Sequence, residues 1–149
     1  MNIKKDKYII LELIPTNFKK NNGIIIQLCA LKIEGLKLID RFDYRLKDEY
    51  LPLIQLKDMI NYDNDLFNYV DNDSIILDEF NKFSEDLPIL ILDNIYTKDY
   101  LDTNNVEYIL DYINLNYNEF IINDIIDKYH LQPSNHIVDL LYEALMMEY

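Results

Sequence analysis

Three apolar runs divided by two tight-turn signals open this chain, and they constrain its fold more than any other feature. Tyr8 to Ile14 is continuously apolar except for Glu12, and Pro15 ends it. Asn22-Gly23 is a strong turn signal, and Ile24 to Ile33 follows as a second run. Glu34-Gly35 makes the next turn, leading into Leu36 to Leu46. Strands covered on both faces read as unbroken apolar runs, whereas half-exposed strands alternate. Tyr8–Ile14 and Ile24–Ile33 are therefore expected to be central and buried. In the third run, Leu38, Asp40, Phe42, Tyr44 and Leu46 are expected to share one face. Short connections make successive strands antiparallel neighbours, so the opening is a three-stranded meander.

Helical spacing takes over downstream. Leu53–Ile60 and Asp63–Val70 read as short helices. Asn72, Asp73 and Ser74 offer N-caps for a longer one, with Ile76, Leu77, Phe80 and Phe83 on one face. Pro88 introduces a short apolar strand, Ile89–Leu92, and Asp93 is placed to cap the helix that follows, Tyr96–Leu101. Val106–Ile113 reads as a further strand. Asn118–His130 carries Phe120, Ile121, Ile125 and Ile126 at helical spacing. A last helix starts at Pro133-Ser134 and places Ile137, Leu140, Leu141, Ala144 and Leu145 on one side. No repeat or linker divides the 149 residues, so one α/β domain spanning 1–149 is expected.

Composition narrows the function classes. Half the residues are apolar or aromatic, which suits a globular core. The formal net charge is −13, and arginine occurs only at Arg41 and Arg45. Nucleic-acid binders draw most of their affinity from Lys and Arg stripes, so a free polynucleotide would be repelled. No apolar stretch reaches the ~18 residues that span a bilayer. Met1-Asn2-Ile3-Lys4-Lys5 does not read as a signal sequence, and a cytoplasmic location is expected. Cys29 lies in an apolar strand and reads as a small core residue. The chain's 13 tyrosines, and Tyr142, Met146, Met147 and Tyr149 at its end, are candidates for a protein partner or homo-oligomer contact.

Several segments resemble the DEDDh 3′–5′ exonucleases, the proofreading-type family. Tyr8-Ile9-Ile10-Leu11-Glu12-Leu13-Ile14 is similar to its first strand, and Ile24-Ile25-Ile26-Gln27-Leu28-Cys29-Ala30 to its second. Leu56-Lys57-Asp58-Met59-Ile60 resembles a family turn. Leu77 to Phe80 and Pro88 to Asn94 look like the helix and strand leading to its His-Asn motif, and Ile109-Leu110-Asp111-Tyr112 like a later strand. The resemblance implies a ribonuclease-H-like mixed sheet, an antiparallel three-strand meander plus parallel strands, flanked by helices.

The family's chemistry uses two metal ions held by four carboxylates, with a histidine as general base. Its first strand carries Asp-x-Glu, which here falls on Glu12 and Ile14. A third ligand position falls on Lys98. The histidine falls on His136, and the last carboxylate position on Leu141. Glu12 and His136 are thus the vestigial catalytic candidates. Asp99 lies one residue past Lys98 and Asp139 two before Leu141, so any metal would depend on Glu12, Asp99 and Asp139. Lys98 is also placed to pair with Glu12 and close the former cleft.

These substitutions predict an inactive exonuclease-like domain that acts through protein binding, regulation or assembly, with no cofactor. One alternative is a working 3′–5′ exonuclease with an altered site and Mg²⁺ or Mn²⁺. Another is an acidic DNA mimic that blocks a nucleic-acid-binding protein.

Overall fold

The computed structural model describes residues 1–16, 23–47, 66–92, 95–101, 103–114, 121–133 and 136–149. The meander is β1 (Lys7–Pro15), β2 (Ile25–Glu34) and β3 (Lys37–Leu46). Then come β4 (Asn68–Val70), α1 (Asp73–Ser84), β5 (Ile89–Ile91), α2 (Ile95–Leu101), β6 (Val106–Tyr108), α3 (Ile121–Tyr129) and α4 (Ile137–Glu148). One six-stranded sheet runs in the order β4-β3-β2-β1-β5-β6. β1 and β2 sit at its centre. The meander pairs are antiparallel, and β3–β4, β1–β5 and β5–β6 are parallel.

Helices cover both faces, which is why β1 and β2 are apolar without alternation. On one face, Ile9, Leu11, Leu28, Ala30 and Phe42 pack with Ile76 and Phe80 of α1 and with Tyr100 and Leu101 of α2. On the other, Tyr8, Ile10, Cys29, Leu31 and Ile33 pack with Ile125 and Tyr129 of α3 and with Val138, Leu141, Ala144 and Leu145 of α4. Burying each large apolar side chain contributes ~1.5–3 kcal/mol, so this double core dominates the stabilisation.

The local signals act as capping chemistry requires. The Asn72 side chain accepts from the Ile75 N–H and starts α1. Gly35 turns the β2–β3 hairpin at φ +62°, and a Cβ there would meet the Lys4 carbonyl oxygen at 2.7 Å. The Tyr8 hydroxyl donates to the Gly35 carbonyl at 3.1 Å and anchors the turn.

Four expectations need correction. Asn68–Val70, expected at the end of a helix, forms β4, where Tyr44 to Leu46 of β3 offer it a parallel partner. Val106–Ile113 is a strand only to Tyr108, because β5 offers three residues to pair with; a 3-10 turn at Ile109–Asp111 then drops Ile109 into the core. The last helix begins at Ile137, with His136 in the N-cap position, rather than at Pro133-Ser134. A β-bulge in β3, where Leu38 and Asp40 pair with consecutive residues of β2, breaks the single face expected there. Leu38 packs with α4's cluster, whereas Phe42, Tyr44 and Leu46 pack with α1's. Leu53–Ile60, Asp93 and Phe120 lie outside the described residues.

Candidate functional site

Strand alternation sends Tyr8, Ile10, Glu12 and Ile14 to the face covered by α3 and α4. Tyr8 and Ile10 are core, and Glu12 and Ile14 follow where the strand runs out from under it. β5 lies parallel to β1, with Leu11 opposite Ile91, and Leu92, just past β5, and Tyr96 of α2 lie beside the same end. The start of α4 closes the third side. Glu12, Ile14, Leu92, Tyr96, Ile137 and Leu141 thereby line a groove of about 110 Å³.

The chemistry of this groove is lopsided. Glu12 is the one carboxylate among the described residues that line it, and most of the other lining residues are apolar. Thr97 is buried against it. Burial, with the nearby Glu12 charge, pushes the Tyr96 hydroxyl pKa above its ordinary value. Tyr96 therefore stays neutral and able to donate a hydrogen bond at physiological pH.

The residues singled out from the sequence do not converge here as a set. His136 precedes α4; its carbonyl accepts from the N–H groups of Asp139 and Leu140 at 3.1 and 3.3 Å. Its side chain makes no cap hydrogen bond to the helix. Asp99 is exposed on α2 and absent from the groove lining. Lys98 is exposed beside it, and no ion pair among the described residues joins it to Glu12. The expected Glu12–Lys98 closure is therefore replaced by an apolar one. α2 turns Thr97 and Tyr96 inward and leaves Lys98 in water.

Asp139 faces β3 instead. Its Oδ1 accepts from Arg41 Nη1 at 3.4 Å, while Arg41 Nε donates to Asp43 Oδ2 at 2.8 Å. Burial acts to lower the Arg41 pKa, but the hydrogen bond and charge of Asp43, joined by Asp139, hold it above the ordinary value. Asp43 is only 4% exposed and lies opposite Cys29, which in turn lies opposite Glu12. Burial first, and then the Glu12 and Asp43 charges, push the Cys29 thiol well above its usual pKa. It is held as a thiol, not as a thiolate nucleophile.

This polar row on β3 escaped the sequence reading. Arg41, Asp43 and Arg45 alternate with Phe42 and Tyr44, which is the ordinary signature of a solvated face. Arg41 instead meets Asp139 of α4, and the Arg45 guanidinium lies 5.9 Å from the Phe67 ring. The readable signal was the placement of the chain's two arginines on either side of one aspartate.

Among the described residues, no three His, Cys, Asp or Glu side chains are grouped to hold a metal ion. A two-metal centre needs several carboxylates at one point, and apolar walls desolvate an ion without replacing its ligands. The described donor set does not fit one.

No family model and no curated protein matches the chain. Solved structures do. Product-bound exonuclease I superposes with a TM-score of 0.62 over 96% of this chain, at 13% identity. Exonuclease I in complex with SSB and the inhibitor CFAM gives the same score, coverage and identity. The chain spans 42% and 40% of those two chains. At this identity the likeness establishes the fold alone. The fold is thus similar to that of exonuclease I, an α/β arrangement with a mixed sheet flanked by helices. Among the described residues no helix is long and apolar enough to cross a membrane.

Proposed function

We propose that this domain keeps an exonuclease-like fold without its chemistry and acts by binding another protein. The observation that carries this reading is the groove itself. Glu12 stands there with Ile14, Leu92, Ile137 and Leu141 where a metal-dependent nuclease would gather carboxylates. The two fallback carboxylates support it. Asp139 is held by Arg41, and Asp99 is exposed on α2. A net charge of −13 adds to the case, since it opposes a polynucleotide and favours a basic protein surface.

Thermal unfolding with added divalent ions tests this. A ligand at ~100 times its Kd stabilises the folded state by about 2.7 kcal/mol. That is roughly 5–11 °C for a domain of this size. Mn²⁺ or Mg²⁺ at millimolar concentration should leave the melting temperature unchanged. A saturable rise that Glu12→Gln abolishes would restore the altered-metal-site nuclease.

A further inference from the structure

We infer that a buried water site lies between Gln27 and Asp43, on the sheet face that α4 covers. Gln27 is 1% exposed, and among the described residues no group bonds its Oε1 or its Nε2. Buried side-chain amides are nearly always satisfied, and an orphaned one carries its full desolvation penalty.

The strand register brings a second such atom beside it. β2 pairs Gln27 with Arg45 and Cys29 with Asp43, so Gln27 and Asp43 are diagonal neighbours on one face. Cys29 packs in the α4-side core, which fixes the face as that one. Asp43 is 4% exposed. Its Oδ2 accepts from Arg41 Nε at 2.8 Å, whereas its Oδ1 meets no donor among the described residues. The amide has a donor to spare and the carboxylate an acceptor, yet the two do not bond each other directly. Neighbouring polar groups more than ~3.5 Å apart are the setting for a bridging water.

Water fits this set of atoms better than other small ligands. It donates two hydrogen bonds and accepts others. One molecule can accept from Gln27 Nε2 and donate to Asp43 Oδ1, and a second can donate to Gln27 Oε1. An anion would face the Asp43 carboxylate, and a metal ion would face the Arg41 guanidinium that already holds it. An organic ligand needs an opening, which side chains 1% and 4% exposed do not offer. Cys29 lies opposite Glu12 and Gln27 opposite Ile14. Hydration here therefore gives the end of the sheet beside Glu12 a polar interior, and ties β2 to β3 through side chains as well as through the strand ladder.

Two measurements test this, water–protein NOE and ROE spectroscopy of the ¹⁵N-labelled chain and the melting temperature of Gln27→Met. In the wild-type chain, the Gln27 side-chain amide protons should show cross-peaks to water with the sign of a long-lived bound molecule. Gln27→Met keeps the shape and removes one end of the bridge, so it should lower the melting temperature by ~2–6 °C. A dry, orphaned amide predicts the opposite sign, because its removal relieves a desolvation penalty. Missing water cross-peaks, or a melting temperature that is unchanged or higher in Gln27→Met, would overturn the inference. If Gln27→Met does not fold, the wild-type cross-peaks decide alone. A crystal structure with both Gln27 amide atoms bonded directly to protein groups would also overturn it.

Discussion

Removing the Arg41 side chain should be among the costliest single changes on the α4 side of the sheet. Arg41 Nε lies 2.8 Å from Asp43 Oδ2, and Asp43 is 4% exposed. Deleting one partner of a fully buried pair costs about 3–5 kcal/mol, because the remaining charge keeps its desolvation penalty. The Arg41 side chain is 34% exposed, so water enters the vacated space and the cost falls to roughly 2–3 kcal/mol. The contact to Asp139 joins two side chains each about one-third exposed and adds less than ~1 kcal/mol. Arg41→Ala should therefore destabilise by about 3 kcal/mol, or ~6–12 °C in melting temperature. Urea titration followed by far-ultraviolet circular dichroism reads this, with the slope unchanged. Arg41→Lys keeps the charge and loses the fork, so it should recover part of the loss. Adding Asp43→Asn to Arg41→Ala neutralises the orphaned carboxylate, so the double variant should be the more stable of the two. An Arg41→Ala cost below ~0.5 kcal/mol, or a double variant no better than the single, would refute the buried-pair reasoning.

Two further outcomes follow from the buried tyrosines and the helix cap. Burial raises the pKa of Tyr8 and Tyr129 above the ordinary 10.0, and Tyr112 is pushed up to about 12, by burial first and then by its hydrogen bond to Glu107. A raised folded-state pKa gives stability that is intact below the unfolded value and lost as pH rises through the folded one. Stability should thus hold to about pH 10 and fall between there and pH 12, read by urea midpoints across that range; a flat profile would contradict it. Asn72→Ala removes the α1 cap and should cost ~1 kcal/mol, with Asn72→Ser recovering most of it.

The sequence was most legible where one physical signal had no competitor. β1 and β2 are unbroken apolar runs because both faces are covered, and α1 follows its Asn72 cap. Legibility failed where tertiary partners decided the outcome. Asn68–Val70 is a strand only because Tyr44–Leu46 lie beside it, and Val106 to Tyr108 stops where β5 stops. The bulge in β3 was invisible, yet it reassigns Leu38 to one core and Phe42 to the other. At the groove, the periodicity of β1 correctly set Glu12 and Ile14 side by side on one face. The Glu12–Lys98 pair failed because a seven-residue helix turned Tyr96 and Thr97 inward, an orientation fixed by packing rather than by pattern. Asp139 reads as a spare ligand in the sequence because nothing local to it shows that Arg41, 98 residues away in the chain, holds its carboxylate.

The most direct test of the central proposal is hydrolysis of 5′-labelled single-stranded DNA and RNA by the purified chain, with Mg²⁺ or Mn²⁺ and with chelator. With Glu12 as the sole carboxylate among the described groove residues, both substrates should remain full-length in every condition. Cleavage that requires the metal, proceeds from the 3′ end and disappears in Glu12→Ala would contradict the proposal.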